Sequence, residues 1–348
     1  MKINVLFTCA GRRNYLINYF KEALNGEGNI LAADVQHNAP ALIDADISLL
    51  VPDIYDSNYI SALKKIIKEY DINAIISLND LELPILARHK SELEETGAKI
   101  LVSNLETIET TFDKWETFRF ITSIGLKTPK TFLTLDAALE ALEKNELHFP
   151  LVLKPRWGSA SIGIEFPESV EELRLSYALQ KIKLQKSILL NASQEDFERS
   201  IVIQEKLEGV EFGMDVLNDF NGNYYGTFLR KKLSMRGGET DKAKTVIDKR
   251  MENIGEQIGS NLKHFGTMDC DLFLCADGLY VLELNPRFGG GYPFSHEGGI
   301  NTAAIYLEWL RGGKNVDQFN NYKADISFSK CDRMIKIPAL QPSQYSKD

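Results

Sequence analysis

The sequence predicts two lobes of different character: an α/β lobe on a parallel sheet, then an α+β lobe on an antiparallel one. Three observations carry this. The first hundred residues alternate short apolar runs with helical periodicity, as strands covered on both faces by crossover helices do. After Gly209 the apolar runs follow one another with few helices between. The 348 residues exceed one small domain, and a 44% hydrophobic content can fill more than one core.

In chain order, Val5–Ala10, Asn29–Val35, Ile47–Val51, Ala74–Leu78 and Lys99–Val102 read as buried strands. The clearest helix between them is Asn58–Tyr70, with Ile60, Leu63, Ile67 and Tyr70 on one face. Ligands of such sheets sit beyond the carboxyl ends of the strands. Three of those ends are polar: Gly11-Arg12-Arg13, Asp34 and Asn79-Asp80-Leu81-Glu82. A helix is predicted over Leu105–Ser123, ended by Gly125 and Pro129. Phe132–Leu135, Leu151–Lys154 and Ile201–Lys206 read as strands, with helices near Asp136–Asn145 and Ser169–Leu179. The last lobe has strands at Glu211–Val216, Tyr224–Lys232, Met268–Leu274 and Leu279–Leu284, and a helix near Lys249–Phe265.

Composition excludes several classes. A net charge of −9 without a large basic block argues against nucleic acid. The N-terminal apolar run precedes its arginines and is too short to span a membrane, so neither a signal peptide nor a membrane partner is expected. Cys9, Cys270, Cys275 and Cys331 form no CxxC pair and no zinc spacing, so a reduced, cytoplasmic protein is expected. CAGRRN lacks GxGxxG, which argues against a nicotinamide cofactor despite Asp34.

Three stretches carry chemistry. In the first, Asp269 and Asp271 lie two apart on one strand, and Glu283 and Asn285 two apart on the next. Period two puts each pair on one face. A three-residue loop, Ala276-Asp277-Gly278, sets Asp271 opposite Glu283 and Asp269 opposite Asn285. Facing acids repel unless a divalent cation reverses the sign, and oxygen-only ligands favour magnesium. The alternative is a solvated face with scattered acids. In the second, PLVLKPRWGSASIGI (150–164), Lys154 ends a strand before a small-residue loop whose amides can approach phosphate oxygens, or which is a plain surface turn. In the third, IVIQEKLEGVEFGMDVL (201–217), the backbone beside Leu207 can pair with an adenine edge and Glu211 with ribose hydroxyls, or the stretch is an ordinary hairpin.

Taken in order, Lys114, Lys154 with its loop, Gln-Glu-x-Leu with a downstream Glu, and Asp…Glu-x-Asn-Pro-Arg resemble the ATP-grasp superfamily from residue 1 to about 330. LELNPRFGGGYP and RGGETDKA (236–243) look like its carbamoyl-phosphate-synthase-like and pyrrolysine-biosynthesis-ligase-like branch. The resemblance implies an N-terminal Rossmann-like domain over 1–110 and an ATP-grasp domain over 111–330, then a tail over 331–348. The ATP-grasp domain would comprise two α+β subdomains clamping ATP, a lid over about 128–205 and a catalytic part over about 206–330.

It also implies roles. Lys114 and Lys154 would contact ATP phosphates, with Ser159, Ala160, Ser161 and Gly163 in the lid loop. Gln204, Glu205 and Leu207 would line the adenine site, and Glu211 the ribose. Asp271, Glu283 and Asn285 would hold two magnesium ions, with manganese as a substitute. Arg287 would face the transferred phosphoryl group, and the glycines after it would let the backbone pass close to substrate. The implied activity is a carboxylate–amine ligase working through an acyl phosphate. The alternatives are a phosphotransferase and a non-catalytic ATP-binding protein. Carbamoyl-phosphate synthase large subunits have two ATP-grasp halves. This chain shows one, so a free-standing ligase is expected. Its partners would be a small-molecule carboxylate and an amine, and a homodimer is allowed. Arg12, Arg13 and Arg236 suit a carboxylate; Asn79, Asp80 and Glu82 suit an amine; His296 follows the glycines.

Overall fold

The computed structural model describes residues 2–158 and 163–337. The chain divides into two compact units. One comprises residues 1–102 with 299–321 and 329–348; the other comprises 103–298 with 322–328. Among the described residues, no helix is long and apolar enough to cross a membrane.

In the first unit, β1 (Ile3–Thr8), β2 (Gly28–Asp34), β3 (Ile47–Leu50), β4 (Ala74–Ser77) and β5 (Lys99–Ile100) form a parallel sheet of order β3-β2-β1-β4-β5. Val5, Leu6 and Phe7 of β1 are fully buried, as expected for a strand covered on both faces. Strand order reverses at β1, so the crevice of this sheet lies where β1 and β4 end. The helix Tyr59–Glu69 buries Tyr59, Leu63, Ile66 and Ile67. Its inward stripe is therefore rotated from the predicted one, with Tyr59 and Ile66 taking the places assigned to Ile60 and Tyr70. The helix Thr302–Leu310 packs on the helix Asn14–Leu24, where Phe20 meets Tyr306 edge-to-face.

The second unit holds two antiparallel sheets. The small one, β6 (Thr131–Phe132), β7 (Leu151–Pro155) and β8 (Ile201–Glu205), has order β6-β8-β7. The large one has β9 (Gly209–Asn218), β10 (Tyr224–Arg236), β11 (Glu239–Val246), β12 (Thr267–Cys275), β13 (Gly278–Asn285) and β14 (Ser327–Ser329), in the order β13-β12-β9-β10-β11-β14. Its two faces differ in kind. Met214, Val216, Leu229, Met268, Cys270 and Leu272 pack under Met251, Ile254, Ile258 and Leu262 of the helix Lys249–Leu262. Period two then puts Glu211, Asp215, Asp269 and Asp271 on the opposite face.

Four local predictions are corrected. The helix expected over Leu105–Ser123 is two helices, Leu105–Phe112 and Lys114–Ser123. They break at Asp113, whose carboxylate accepts from the Trp115 N–H and caps the second. The strand expected over Phe132–Leu135 stops at Phe132, because Thr134 caps a helix beginning at Leu135. The region around RGGET is the turn of a hairpin: Arg236 ends β10 and Glu239 opens β11, with Gly237 and Gly238 at φ of 58° and 82°. β11 itself, rich in Lys and Thr, went unread. Finally, the β12–β13 loop has two residues rather than three, since Cys275 pairs with Gly278. A bulge between Asp271 and Leu272 absorbs the difference, so Asp271 still faces Glu283 and Asp269 still faces Asn285. The bulge also explains why Val281 and Leu284, three apart, share the core face.

His264 sits fully buried in the second unit. Its Nε2 donates to the Val216 carbonyl at 3.1 Å and its Nδ1 accepts from the Asn218 amide at 3.4 Å. Burial pushes its pKa from 6.5 down to about 4. The folded state thus favours the neutral ring. Stability is full above the unfolded pKa and is lost as pH falls toward the folded one, by about 3 kcal/mol. Urea unfolding at neutral and acid pH should show that loss, and His264→Asn should flatten it.

Candidate functional site

The polar face of the large sheet is a lattice of alternating charges. β10 offers two cations two residues apart, Arg230 and Lys232, to carboxylates from β9 and β12. The Arg230 guanidinium is fully buried, with Nη1 2.7 Å from Asp215 Oδ2 and Nη2 2.5 Å from Asp269 Oδ1. Lys232 Nζ lies 2.6 Å from Glu211 Oε1 and 2.7 Å from Asp271 Oδ1. Burial would favour neutral lysine, but Asp271 and Glu211 outweigh it and hold the ammonium well above its ordinary pKa. Burial likewise raises the Asp215 carboxyl, against the pull of Arg230, while Ser295 donates to it at 2.5 Å.

Glu283 differs from these acids. Its Oε1 lies 3.7 Å from two ammonium groups, Lys114 Nζ and Lys154 Nζ. The two lysines come from separate elements. Lys154 is in β7 and is buried, which pushes its pKa down to about 8, with Glu283 opposing and Lys114 assisting. Lys114 opens its helix because Asp113 caps it, and its Nζ donates to the Gly158 carbonyl at 2.5 Å. Arg156 fixes the junction: its Nη2 lies 2.6 Å from Asp113 Oδ2 and its Nη1 3.0 Å from Asp196, with its guanidinium over the Trp157 ring. The bend predicted as a flexible turn is thus clamped at its start. Arg287 is 3.9 Å from Asp269 through Nη1, which also donates to the Phe288 carbonyl at 3.1 Å.

The remaining predicted residues fall as follows. Gln204 is buried and its amide donates to Thr131 Oγ1 at 2.8 Å. Glu205 Oε1 accepts from the Lys130 N–H at 3.0 Å, and Leu207 is half-buried in the link from β8 to β9. Gly163 has φ of 70° and offers its carbonyl to Gln180. Ser159, Ala160 and Ser161 lie outside the described residues. Arg236 pairs with Asp241 at 3.0 Å and is largely exposed. His296 is half-buried, with Nδ1 3.0 Å from the Tyr292 hydroxyl, and burial lowers its pKa to about 4.

In the first unit, Arg12 is exposed and Arg13 Nη1 donates to the Tyr15 hydroxyl at 3.0 Å. Asp80 is buried; Asn79 accepts from the Leu81 N–H at 2.9 Å. Glu82 is enclosed, and Thr8, Ser77 and Tyr59 all donate hydroxyls to it. It braces the ends of β1 and β4. Asp34 accepts from the Gly11 and Gln36 N–H groups, each at 2.9 Å.

Among the described residues, no three His, Cys, Asp or Glu side chains gather as a metal site. The oxygen donors facing the lysines are the Glu283 carboxylate and, two residues on, Asn285. That set suits an ion that takes its other ligands from phosphate and water, as magnesium does.

Sequence reasoning missed Lys232, Arg230, Asp113 and Arg156. It also misread the glycines after Arg287. A Cβ on Gly289 would overlap the Asp269 carboxylate, and one on Gly291 the Arg230 guanidinium. These glycines make room for the protein's own ion pair. Since that pair is pinned from both sides, Gly291→Ala should cost about 1–3 kcal/mol in denaturant unfolding.

Residues 5–101 match the family described as PylC-like, N-terminal domain, and residues 111–291 match the ATP-grasp domain family. A carbamoyl-phosphate synthase of Methanobrevibacter smithii is 24% identical over 265 residues, which are 72% of this chain and 66% of that protein. The chain thus spans just under two thirds of that curated relative. The L-amino acid ligase from Bacillus licheniformis has the same fold, with a TM-score of 0.69 at 19% identity, over 94% of this chain and 79% of that one. So does the biotin carboxylase domain of Hydrogenobacter thermophilus 2-oxoglutarate carboxylase, crystallised with MgADP and bicarbonate, with a TM-score of 0.70 at 16% identity over 91% and 71%. The ATP-grasp match takes in more than half of the 348 residues, and with it the charged face and both lysines: the chain belongs to the ATP-grasp family, behind a PylC-like N-terminal region.

Proposed function

We propose that this protein is an ATP- and magnesium-dependent ligase that joins a small-molecule carboxylate to an amine and releases ADP and phosphate. One observation carries the reading: Lys114 and Lys154, from different elements, converge on Glu283 Oε1 at 3.7 Å each. That spacing is too long for tight ion pairs and leaves the ammonium groups turned toward a common space. Two cations beside a carboxylate and an amide suit a polyphosphate with its metal ion.

The chemistry divides among the chain's own groups. Lys154 and Lys114 neutralise phosphate oxygens, and Lys154, being buried, does so in a medium that strengthens the attraction. Glu283 and Asn285 would hold magnesium, with manganese as a substitute; the bound ion would supply charge neutralisation of the phosphates. Gln204, Glu205 and Leu207 would take the adenine and Glu211 the ribose, with Ser159, Ala160, Ser161 and Gly163 over the phosphates. The substrate carboxylate oxygen bonds to the γ-phosphorus as the bond to ADP breaks. The amine nitrogen then bonds to the acyl carbon, phosphate leaves with the C–O bonding pair, and the nitrogen loses a proton. Arg287 faces the charge that builds in both steps. Of the acceptor candidates, His296 and Arg236 belong to this unit, and Arg12, Arg13, Asn79 and Asp80 to the other.

ADP release, followed with pooled acids and pooled amines, tests the reading. ADP that needs both an acid and an amine supports a ligase. ADP with an acid alone supports a phosphotransferase instead. ATP binding without ADP in any pool would point to a non-catalytic nucleotide-binding protein. Glu283→Gln should keep the fold and abolish turnover, and wild-type turnover in that variant at saturating magnesium would overturn the metal role. Lys154→Ala should raise the KM for ATP at least tenfold, reflecting loss of a charged hydrogen bond worth about 1.5–3 kcal/mol.

A further inference from the structure

We propose that Lys232 stands in for one of two expected divalent cations, so that the nucleotide site holds a single ion, at Glu283 and Asn285. The inference rests on the nucleotide reading above and departs from the two-ion set that the sequence resemblance implies.

The positions of the acids carry it. Period two sets Asp271 and Glu283 face to face across β12 and β13, the arrangement that called for bridging metal. In the structure the repulsion is already relieved from the other side. Lys232, arriving from β10, crosses β9 and places its ammonium 2.7 Å from Asp271 Oδ1 and 2.6 Å from Glu211 Oε1. The neighbouring pair of acids, Asp215 and Asp269, is served in the same way by Arg230. Each of these carboxylates has its counter-charge built into the chain. Glu283 has no cation so close, its two lysines standing 3.7 Å away.

Lys232 cannot withdraw cheaply. Its side chain is 7% exposed, and removing it would leave Glu211 and Asp271 buried without compensation. A doubly charged ion on the remaining oxygen of Asp271 would lie against that ammonium, in a site poorly screened by water, where like charges repel strongly. Glu283 and Asn285 lie on the far side of Asp271 in the sheet and escape this conflict. One ion, completed by phosphate oxygens and water, satisfies them. Lys232 would then be a positioning residue. It holds Asp271 as a fixed wall of the site and orients Glu211 toward hydroxyl groups.

The test counts ions. Wild-type protein is saturated with the β,γ-imido analogue of ATP and titrated with Mn2+, and bound Mn2+ is read by electron paramagnetic resonance. One Mn2+ per bound nucleotide is expected in the wild type and in Lys232→Arg. Two are expected in Lys232→Met, with the line broadening of a coupled pair. Should Lys232→Met fail to fold, Lys232→Met with Glu211→Gln removes the cation and one buried acid together and should also bind two. Two Mn2+ in the wild type, or one in the folded methionine variants, would overturn the inference while leaving the nucleotide reading intact. Failure of the analogue to bind the wild type at all would overturn the nucleotide reading, and this inference with it.

Discussion

The large sheet depends on neutralising a row of carboxylates on one of its faces. Glu211, Asp215, Asp269, Asp271 and Glu283 come from three adjacent strands, and most are poorly exposed. Left to themselves they would repel one another across the sheet. Arg230 and Lys232 make the arrangement possible, and much local sequence is dictated by them. Gly213 lies opposite Arg230 because the guanidinium runs over its Cα, and a Cβ there would lie 2.8 Å from Nε. Gly289 and Gly291 are needed for the same pair on the other side. Ser295, on the helix Tyr292–Glu297, adds its hydroxyl to Asp215. The ion pairs thus tie the turn carrying Arg287 to the middle of the sheet.

Such pairs are no simple gain in stability. Desolvating several charges costs much of what their attraction returns, so a well-packed apolar face of the same volume could be as stable. What the charges provide is definition. Arg230 can occupy its slot in few ways, since its planar group meets two carboxylates and a serine at once. The same logic governs Lys114. Its position follows from Asp113, which both caps the helix and binds Arg156, so the start of one helix is locked to the end of β7. Two ammonium groups from distant parts of the sequence then meet at Glu283 without relying on their own flexible stems.

The sequence revealed the elements better than it revealed their partners. The parallel strands of the first unit were legible because each is a short apolar run bounded by polar residues, and Val5 to Phe7 could hardly be anything but core. The facing of Asp271 and Glu283 was also legible, although by a loop one residue too long whose error the bulge cancelled. Asp113 was hidden because a continuous helical period runs through it, and a cap declares itself only once the helix is seen to restart. The glycines near Arg287 were legible as special but not as to why. A glycine records that something approaches closely, and in this case the close neighbours are Asp269 and Arg230.

The stretch FLRKKLSMR explains the largest omission. Read by composition, its basic residues are a solvated edge and its Leu and Met are core. The structure inverts this: Arg230 is 1% exposed, while Leu233 and Met235 are 50% and 46% exposed. Hydrophobic patterning predicts burial because apolar groups gain most from leaving water. On β10 that rule is overridden by carboxylates on two neighbouring strands, which cannot be packed together without cations among them. An inverted pattern on a central strand is therefore itself a signal. It appears where a sheet face has been given over to charge, and in a chain of this family that is the face from which Glu283 and Asn285 project toward the lysines.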